Sequence, residues 1–517
     1  MKPIPSIAFL LLTLLRLRIV VGAKVLMTST QMPSRIILQL KLGSELVRRG
    51  HDVHIAVGSR YPDQKTFEKL GIKPEFFHVP NDVVYGVSRE FEKLVAESVF
   101  NDRPTLVIRE MSTMVNRDCE FMMADEQFLA RVRSLNFDIA VVEPFLLSQC
   151  TLILPHYLGI SFVSMSSCFR PWQTRIPAFP SFHFLINPFQ AFDDSTLLGR
   201  MENLVTYVIF EFSIFFPGAR NTTLLERFAP ELNSWTELVA QSQLHLIDSD
   251  HHVGSALPTF PNVVSIAGLT CSPPKRLGED FEMIMSKGDA IVMSFGSMAF
   301  DAPEHVILKF MQAFSRLNES VVARLPRLEG VEVPKNVKLG SWIPQNDLLS
   351  HPNTKLFITH CGTNGLHETL YHGVPIIGFP LFAEHSLNCR SAAKKDFGLV
   401  LNIHSFTSEE LYAAIVDVIM NSTYRQTMKR ASRVFRDQQT SPQERAVYWI
   451  QHVIKHGGSH LRSPVIDMPL RQFLMLDILA VLFVSMCCLT FLAKVILAQL
   501  CRRLINSRKR VIKLKPY

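Results

Sequence analysis

The sequence predicts an α/β fold: two Rossmann-like domains facing a cleft, followed by one transmembrane helix. Three observations carry this. Each half of the chain opens with an apolar β run, a small-residue loop and an amphipathic helix. Strands alternating with helices in this way argue for parallel, doubly wound sheets. Roughly 450 residues separate the two apolar ends, and domains of 50–250 residues are the rule, so two domains are expected. Finally, residues 473–493 form an apolar stretch with one charge, Asp477, near its edge.

The ends fix the topology. Lys2 precedes an apolar run at 6–15, and Gly22 and Ala23 supply small residues for cleavage near Lys24. That is a secretory signal over 1–23. Arg16 and Arg18 also allow an uncleaved anchor, although about ten apolar residues fall short of the roughly 20 that span a bilayer. The carboxyl-terminal stretch, extended to 473–497, is long enough. The tail at 498–517 carries Arg502, Arg503, Arg508, Lys509, Arg510, Lys513 and Lys515 and no acid. Such a tail marks the cytosolic side. Seven cations of the chain's net +8 therefore sit in the tail, and the high pI does not signal a nucleic-acid partner. Lys513 and Lys515 resemble a dilysine retrieval address of the endoplasmic reticulum, which a receptor reads. The expectation is a single-pass type I protein of the endoplasmic-reticulum membrane with a large luminal body. Asn221, Asn318 and Asn421 each begin an Asn-x-Ser/Thr acceptor for luminal glycosylation. Cysteines 119, 150, 168, 271, 361 and 389 form no CxxC metal pattern and are too sparse for a disulfide scaffold. No metal site is expected.

Within the body, 23–29 reads as a strand, Pro33 as part of a loop, 36–49 as a helix ended by Gly50, and 51–57 as the next strand. The second half repeats this with a strand at 290–295, a Gly296-Ser297 loop and a helix at 302–317. A strand at 355–359, a helix at 366–372 and a strand at 374–380 follow. The first domain is placed at 24–255 and the second at 256–470. The aromatic, proline-bearing segment 170–270 reads as pocket and linker material.

The informative stretch is 342–388. It offers Trp342 and Gln345, then a strand ending in Thr359-His360, a small-residue loop and a helix start. In parallel α/β sheets a ligand lies beyond the carboxyl ends of the strands. A helix amino terminus there presents free N–H groups to phosphate. His360, Asn364 and Gly365 would flank that phosphate. Glu368 lies one turn into the helix, where a carboxylate accepts from ribose hydroxyls. Trp342 suits stacking on a flat base and Gln345 suits its edge. Glu384 and His385 follow the next strand, placed for sugar hydroxyls. A lone histidine or tryptophan is more often ordinary packing; the ordered set is hard to explain that way.

These residues resemble the UDP-glucuronosyltransferases and their animal UDP-glycosyltransferase relatives. The resemblance runs from the Arg49-Gly50-His51 turn through 294–298, 342–349 and 357–365 to 445–462 and the span beyond. It implies a GT-B fold and an inverting transfer of glucuronate, glucose or galactose from a UDP-sugar co-substrate to a small lipophilic acceptor, with no cofactor. By it, Trp342 and Gln345 hold uracil and Glu368 holds ribose. Ser297, Thr359, His360, Asn364 and Gly365 hold the diphosphate, and Glu384 and His385 hold the sugar. Homo- or hetero-oligomers are left open.

The sequence departs from that family where the chemistry is. The family's general base is a histidine oriented by an aspartate, and such a base is typically worth 10²–10⁴-fold. Counting back fourteen residues from Arg49 lands on Arg35, preceded by Ser34, and the aspartate position is Glu143. Arginine stays protonated and cannot act as that base. Either Arg35 and Glu143 form a salt bridge that keeps the cleft's shape, or Glu143 reaches the acceptor itself. Acceptors needing little base assistance, such as acidic phenols or amines, are a further route. Cys361 stands where the family has glycine, with a side chain that would crowd the phosphate. His385 stands where the family has glutamine, and in plant relatives a histidine there accompanies galactose over glucose. Two functions follow: an active transferase, or a catalytically weakened member that binds UDP-sugar or lipophilic ligands or pairs with an active homologue.

Overall fold

The computed structural model describes residues 22–83, 89–101, 104–144, 150–166, 196–211, 222–232, 234–248, 251–254, 256, 258–297 and 301–513. Residues 1–21, where a signal segment is expected, Cys168, Asn221 and the last four residues, Lys515 among them, lie outside the described residues.

Seven parallel strands build the first sheet: β1 Lys24–Thr28, β2 Asp52–Gly58, β3 Lys73–Phe77, β4 Ile139–Val142, β5 Phe162–Ser166, β6 His245–Ile247 and β7 Val263–Ser265. Their order is β3-β2-β1-β4-β5-β6-β7. Six parallel strands build the second: β8 Ala290–Ser294, β9 Ser320–Arg324, β10 Val337–Leu339, β11 Thr354–Thr359, β12 Ile376–Gly378 and β13 Gly398–Val400. Their order is β10-β9-β8-β11-β12-β13. The strands read as continuous apolar runs because helices cover both faces; all of β4 and β8 is buried. The first sheet ends at Ser265, beyond residue 255, where the sequence places the domain boundary.

Each sheet reverses its winding once. In the first, β1 lies beside β4, with Thr28 opposite Val142. In the second, β8 lies beside β11, with Ser294 opposite Thr359. Such reversal points open a crevice beyond the carboxyl ends of the strands. Glu143 and Gly296-Ser297 are the residues just past β4 and β8, and His360 follows β11 directly.

Four helices position the site. Helix α1, Pro33–Arg48, starts with proline at its first turn, where the missing N–H costs nothing. It opens three residues earlier than its apolar pattern suggests. Helix α2 is Gln345–Ser350, α3 is Thr363–His372 and α4 is His385–Lys394. Helix α5, Pro442–His456, returns from the second domain to the first. Its start is fixed by a reciprocal Ser441/Glu444 capping box. Its buried Ala446, Val447, Ile450 and Val453 join the core of the first sheet. Arg49 pairs with Glu444 at 3.6 Å, and Gln451 meets His51 Nε2 at 2.9 Å.

The segment Ser463–Tyr517 is a separate unit. Its long helix α6, Leu476–Lys513, begins after Met475, whose φ of 53° breaks it from the short helix Leu470–Phe473. Within Leu476–Ser507 an 18-residue window reaches a mean hydropathy of 2.4 and buries nothing against protein. At 1.5 Å per residue this stretch exceeds a hydrocarbon core of about 30 Å, so it is a candidate membrane span that starts three residues later than the sequence suggests.

Candidate active site

A cleft of about 410 Å³ lies between the two Rossmann-like domains. Its walls include Arg35, Ser297, Trp342, Gln345, His360, Asn364, Gly365, Glu368, Glu384 and His385. Ten of the twelve residues expected there from sequence are thus brought together. Thr359 is not: its side chain is fully buried, and its Oγ1 accepts from the Cys361 N–H at 3.2 Å. Thr359 shapes the turn instead of facing a ligand. Glu143 is not either; it sits behind Arg35, 1% exposed.

Helix α3 starts bare. Its N-cap is Gly362, which offers no side-chain cap, and its first turn has no acid. The first intrahelical bond runs from the Leu366 N–H to the Gly362 carbonyl at 3.1 Å. The N–H groups of Thr363, Asn364 and Gly365 therefore project from the helix start, where the dipole is positive. The helix begins at Thr363, so Asn364 and Gly365 belong to its first turn and not to a loop. His360 is sandwiched between glycines: a Cβ on Gly296 would lie 2.6 Å, and one on Gly362 2.4 Å, from its Nε2. Only glycine allows this approach. The buried Nδ1 of His360 has no hydrogen-bond partner. Burial holds His360 well below the ordinary histidine pKa, and the neighbouring His385 pushes the same way. The two rings meet edge-on with centroids 4.6 Å apart. Burial, helped by Arg35, takes His385 to about 3. Both imidazoles are neutral at pH 7.

Gln345 donates to Glu368 at 2.7 Å, tying α2 to α3. Burial raises the Glu368 pKa to about 7 against the pull of that bond and of Lys41. Trp342 is 62% exposed, with its ring open to the cleft. Arg324 ends β9 and stitches two loops together. Its Nε donates to the Ser341 carbonyl at 3.0 Å, Nη1 donates to the Gly296 carbonyl, and its guanidinium lies 5.7 Å from the Trp342 ring. Thr363 donates to Glu384 at 3.3 Å, and Asn388 donates to the Cys361 carbonyl at 3.0 Å.

The loop's most unexpected feature is covalent. Cys361, at φ 64°, is disulfide-bonded to Cys389 on α4. The bond draws its side chain fully into the core, so it does not crowd the phosphate position. Gly378 makes room, since a Cβ there would lie 2.5 Å from the Cys389 sulfur. A second disulfide joins Cys119 to Cys150. Sequence reasoning missed both, because pairing across 28 and 31 residues is decided by the fold.

On the other wall, α1 turns Ser34, Arg35, Ile37, Leu38 and Lys41 to the cleft. Arg35 Nε lies 3.4 Å from Glu143 Oε1, and Thr30 Oγ1 donates to Glu143 Oε2 at 3.1 Å. Burial raises the Glu143 pKa, and Arg35 partly offsets it. Lys41 and Arg324 are among the cleft residues missed from sequence. Lys41 lies three residues after Leu38 and seven after Ser34, a spacing that puts all three on one helix face.

The chain matches the family model for UDP-glucoronosyl and UDP-glucosyl transferases over residues 23–511. It is 31% identical over 408 residues to human 2-hydroxyacylsphingosine 1-beta-galactosyltransferase, covering 76% of this chain and 74% of that protein. It is 27% identical over 528 residues to mouse UDP-glucuronosyltransferase 1-2, covering 99% and 97%. Among solved structures, the glycosyltransferase of kitacinnamycin superposes with a TM-score of 0.57 at 16% identity, covering 83% of this chain and 98% of that one. The spinosyn forosaminyltransferase gives 0.57 at 15% identity, covering 84% and 100%. These two share the paired parallel-sheet, GT-B arrangement. With its fold, its cleft and nearly its whole length accounted for, the chain belongs to the UDP-glucuronosyl- and UDP-glucosyltransferase family, and is a UDP-glycosyltransferase.

Proposed function

We propose that the protein transfers a hexose or hexuronate from a UDP-sugar to a small lipophilic acceptor, with inversion at the anomeric carbon. The observation that carries this is the convergence of Trp342, Gln345, Glu368, His360, Asn364, Gly365, Glu384 and His385 on one cleft. In this reading they serve the base, ribose, diphosphate and sugar in turn. Trp342 stacks on uracil and Gln345 pairs with its edge, while Glu368 accepts from ribose hydroxyls. The start of α3, with Ser297 and His360, takes the diphosphate, and Glu384 and His385 take the sugar. The similarity to both a galactosyltransferase and a glucuronosyltransferase leaves all three sugars to be tried. The test is turnover. Microsomes bearing the chain receive labelled UDP-glucuronate, UDP-glucose and UDP-galactose with a panel of phenols, alcohols, amines and carboxylic acids. A glycoside from at least one pair is expected; no product from any pair, with UDP binding intact, favours the catalytically weakened reading.

The topology belongs to the same proposal: luminal body, α6 across the endoplasmic-reticulum membrane, basic tail in the cytosol. Two disulfides in the body fit an oxidising compartment. Asn318 and Asn421 are exposed. Asn421 caps the next helix through Oδ1, which accepts from the Thr423 N–H at 3.1 Å, so the cap does not consume the Nδ2 that carries a glycan. Protease applied to sealed microsomes should clip only the tail, and glycosidase should lower the mass. Digestion of the body in sealed vesicles reverses the orientation. Replacing Lys513 and Lys515 by serine should release the protein toward the cell surface.

A further inference from the structure

The second domain carries a hollow that the transfer reaction does not use. It measures about 720 Å³ and lies against the helix Ser422–Arg436, beside the end of α3. Helix α3 holds this hollow apart from the cleft. Asn364 and Gly365, in its first turn, line the cleft, while His372, its last residue, lines the hollow. Gly373, at φ 72°, ends α3, and a Cβ there would lie 3.5 Å from Lys429 Cα, so the two helices meet closely at this point.

The walls are cationic. Lys429, Arg430, Arg433 and Arg436 line the hollow, and no acid does among the described residues. All four are exposed, and none belongs to an ion pair among the described residues. Asp437 follows Arg436 in sequence but does not line the hollow. Thr423 and Thr427 add hydroxyls to the wall. Burial, then Arg436, takes His372 to about 4, so its ring is neutral at pH 7; its Nε2 meets Asn346 Oδ1 at 3.0 Å.

Holding these charges together costs the helix. Lys429 and Arg433 are four residues apart, and Arg433 stands three from both Arg430 and Arg436. Like charges at those spacings repel. Arg433 and Arg436 occupy the last turn, where cations offset the helix dipole. That reason does not extend to Lys429 and Arg430 in mid-helix. A solvated face would alternate its signs, whereas Ser422–Arg436 holds five cations and no acid.

We propose that this hollow binds a phosphate-bearing anion, with Lys429, Arg430, Arg433 and Arg436 as its charged contacts and Thr423 and Thr427 as hydroxyl donors. Guanidinium forks match phosphate oxygens in pairs, and a lysine adds a point charge. The volume falls within the roughly 300–1,000 Å³ of small-molecule sites, which suits a compact ligand better than a protein face. A soluble phosphate and a lipid headgroup share this chemistry.

The experiment places the full chain in phosphatidylcholine discs, saturates the cleft with UDP and adds inorganic pyrophosphate. Calorimetry is expected to show one pyrophosphate per chain beyond the UDP. Lys429→Gln/Arg430→Gln should weaken it about ten-fold or more, the scale of one lost charge-assisted hydrogen bond, and leave UDP affinity unchanged. Without the anion this variant should melt no earlier than the parent, because it relieves repulsion. Should it melt early, Arg430→Gln alone, with the same loss expected, takes its place. Hydrogen exchange over 422–436 separates the two sources. Protection by added pyrophosphate identifies a soluble ligand; protection in discs containing phosphatidate, with no free anion, identifies a headgroup. No protection from either, or pyrophosphate affinity equal in parent and variant, overturns the inference. A polyglutamate peptide that protects 422–436 where neither phosphate does also overturns it, and makes the hollow a protein-docking face. These readouts concern the hollow alone: a chain that binds no UDP should still bind pyrophosphate through Lys429 and Arg430.

Discussion

The two halves of the cleft are built alike and equipped differently. Both sheets reverse their winding at the strand pair that opens onto the cleft, β1/β4 in one and β8/β11 in the other. Past β8 and β11 stand two glycines, a neutral histidine and a helix start, an arrangement suited to anionic phosphate. Past β1 and β4 stand an arginine and a buried glutamate. The comparison separates two requirements that a transferase site must meet. Holding the donor is a matter of geometry and neutral or positive groups, and this half has them. Removing a proton from the acceptor needs a base of matched pKa, and the described residues of the other half do not present one. Donor binding should therefore respond to changes around α3, and acceptor choice to changes around Arg35.

Breaking the donor half covalently should have the largest effect. Cys361→Ser/Cys389→Ser removes the tie between the phosphate loop and α4, and a disulfide of this kind is typically worth about 2–4 kcal/mol. Thermal denaturation of the detergent-solubilised chain should show that loss, with UDP affinity falling alongside it. Removing the Cys119–Cys150 bond, in the first domain, should lower stability and spare UDP affinity. Equal loss of UDP affinity from both changes would mean that the two halves are not separable.

Trp342→Ala comes next. Base–aromatic stacking is worth about 1–3 kcal/mol by alanine substitution, so UDP should bind roughly five- to a hundred-fold more weakly. The exposed ring packs little of the core, and the melting temperature should barely move. A variant that melts early but binds UDP normally would make Trp342 a packing residue.

The donor half should also answer to pH. The Glu368 pKa is raised to about 7 without ligand. With the proposed ribose hydroxyls donating to its ionised form, UDP binding would release a proton, and affinity should rise with pH up to about 7, then level off. The slope can reach about ten-fold per pH unit for one linked proton. Glu368→Gln should flatten the profile to whatever the phosphate's own titration contributes. A parent profile as flat as the variant's would show that Glu368 does not touch the ribose.

The smallest effect is expected from Lys41→Met. Lys41 belongs to the first domain, yet it lowers the pKa of Glu368 in the second. Its loss should move the midpoint of the pH profile upward by a fraction of a unit, and no movement would confine donor binding to the second domain.

How much of this was legible from residue order depends on whether a feature is local. All of the donor set but Ser297 lies within 342–388, where strand, turn and helix start follow one another, so position along the chain stands in for position in space. Residue order places the start of α3 at 366 because Gly362 and Gly365 disguise its first turn. Thr359 sits in the right sequence position with its side chain turned into the core, and residue order does not encode that. Lys41 and Arg324 reach the site from α1 and β9, far away in sequence, and a lone cation on a helix or strand reads as a solvated face. The Cys361–Cys389 bond depends on a left-handed residue and on the groove left by Gly378. The Arg35–Glu143 pair spans 108 positions, and residue spacing alone does not reveal it; it came into view through resemblance, because both family positions had changed together.

The central claim, a working UDP site in the second half of the cleft, is tested most directly by calorimetric titration of UDP into the solubilised full chain and its Glu368→Ala variant at pH 8, where Glu368 is ionised. A charge-assisted hydrogen bond is worth roughly 1.5–3 kcal/mol. The expected result is one UDP per chain, with affinity reduced roughly ten- to a hundred-fold in the variant. No UDP binding by the parent chain, or the same affinity in both, would contradict the account.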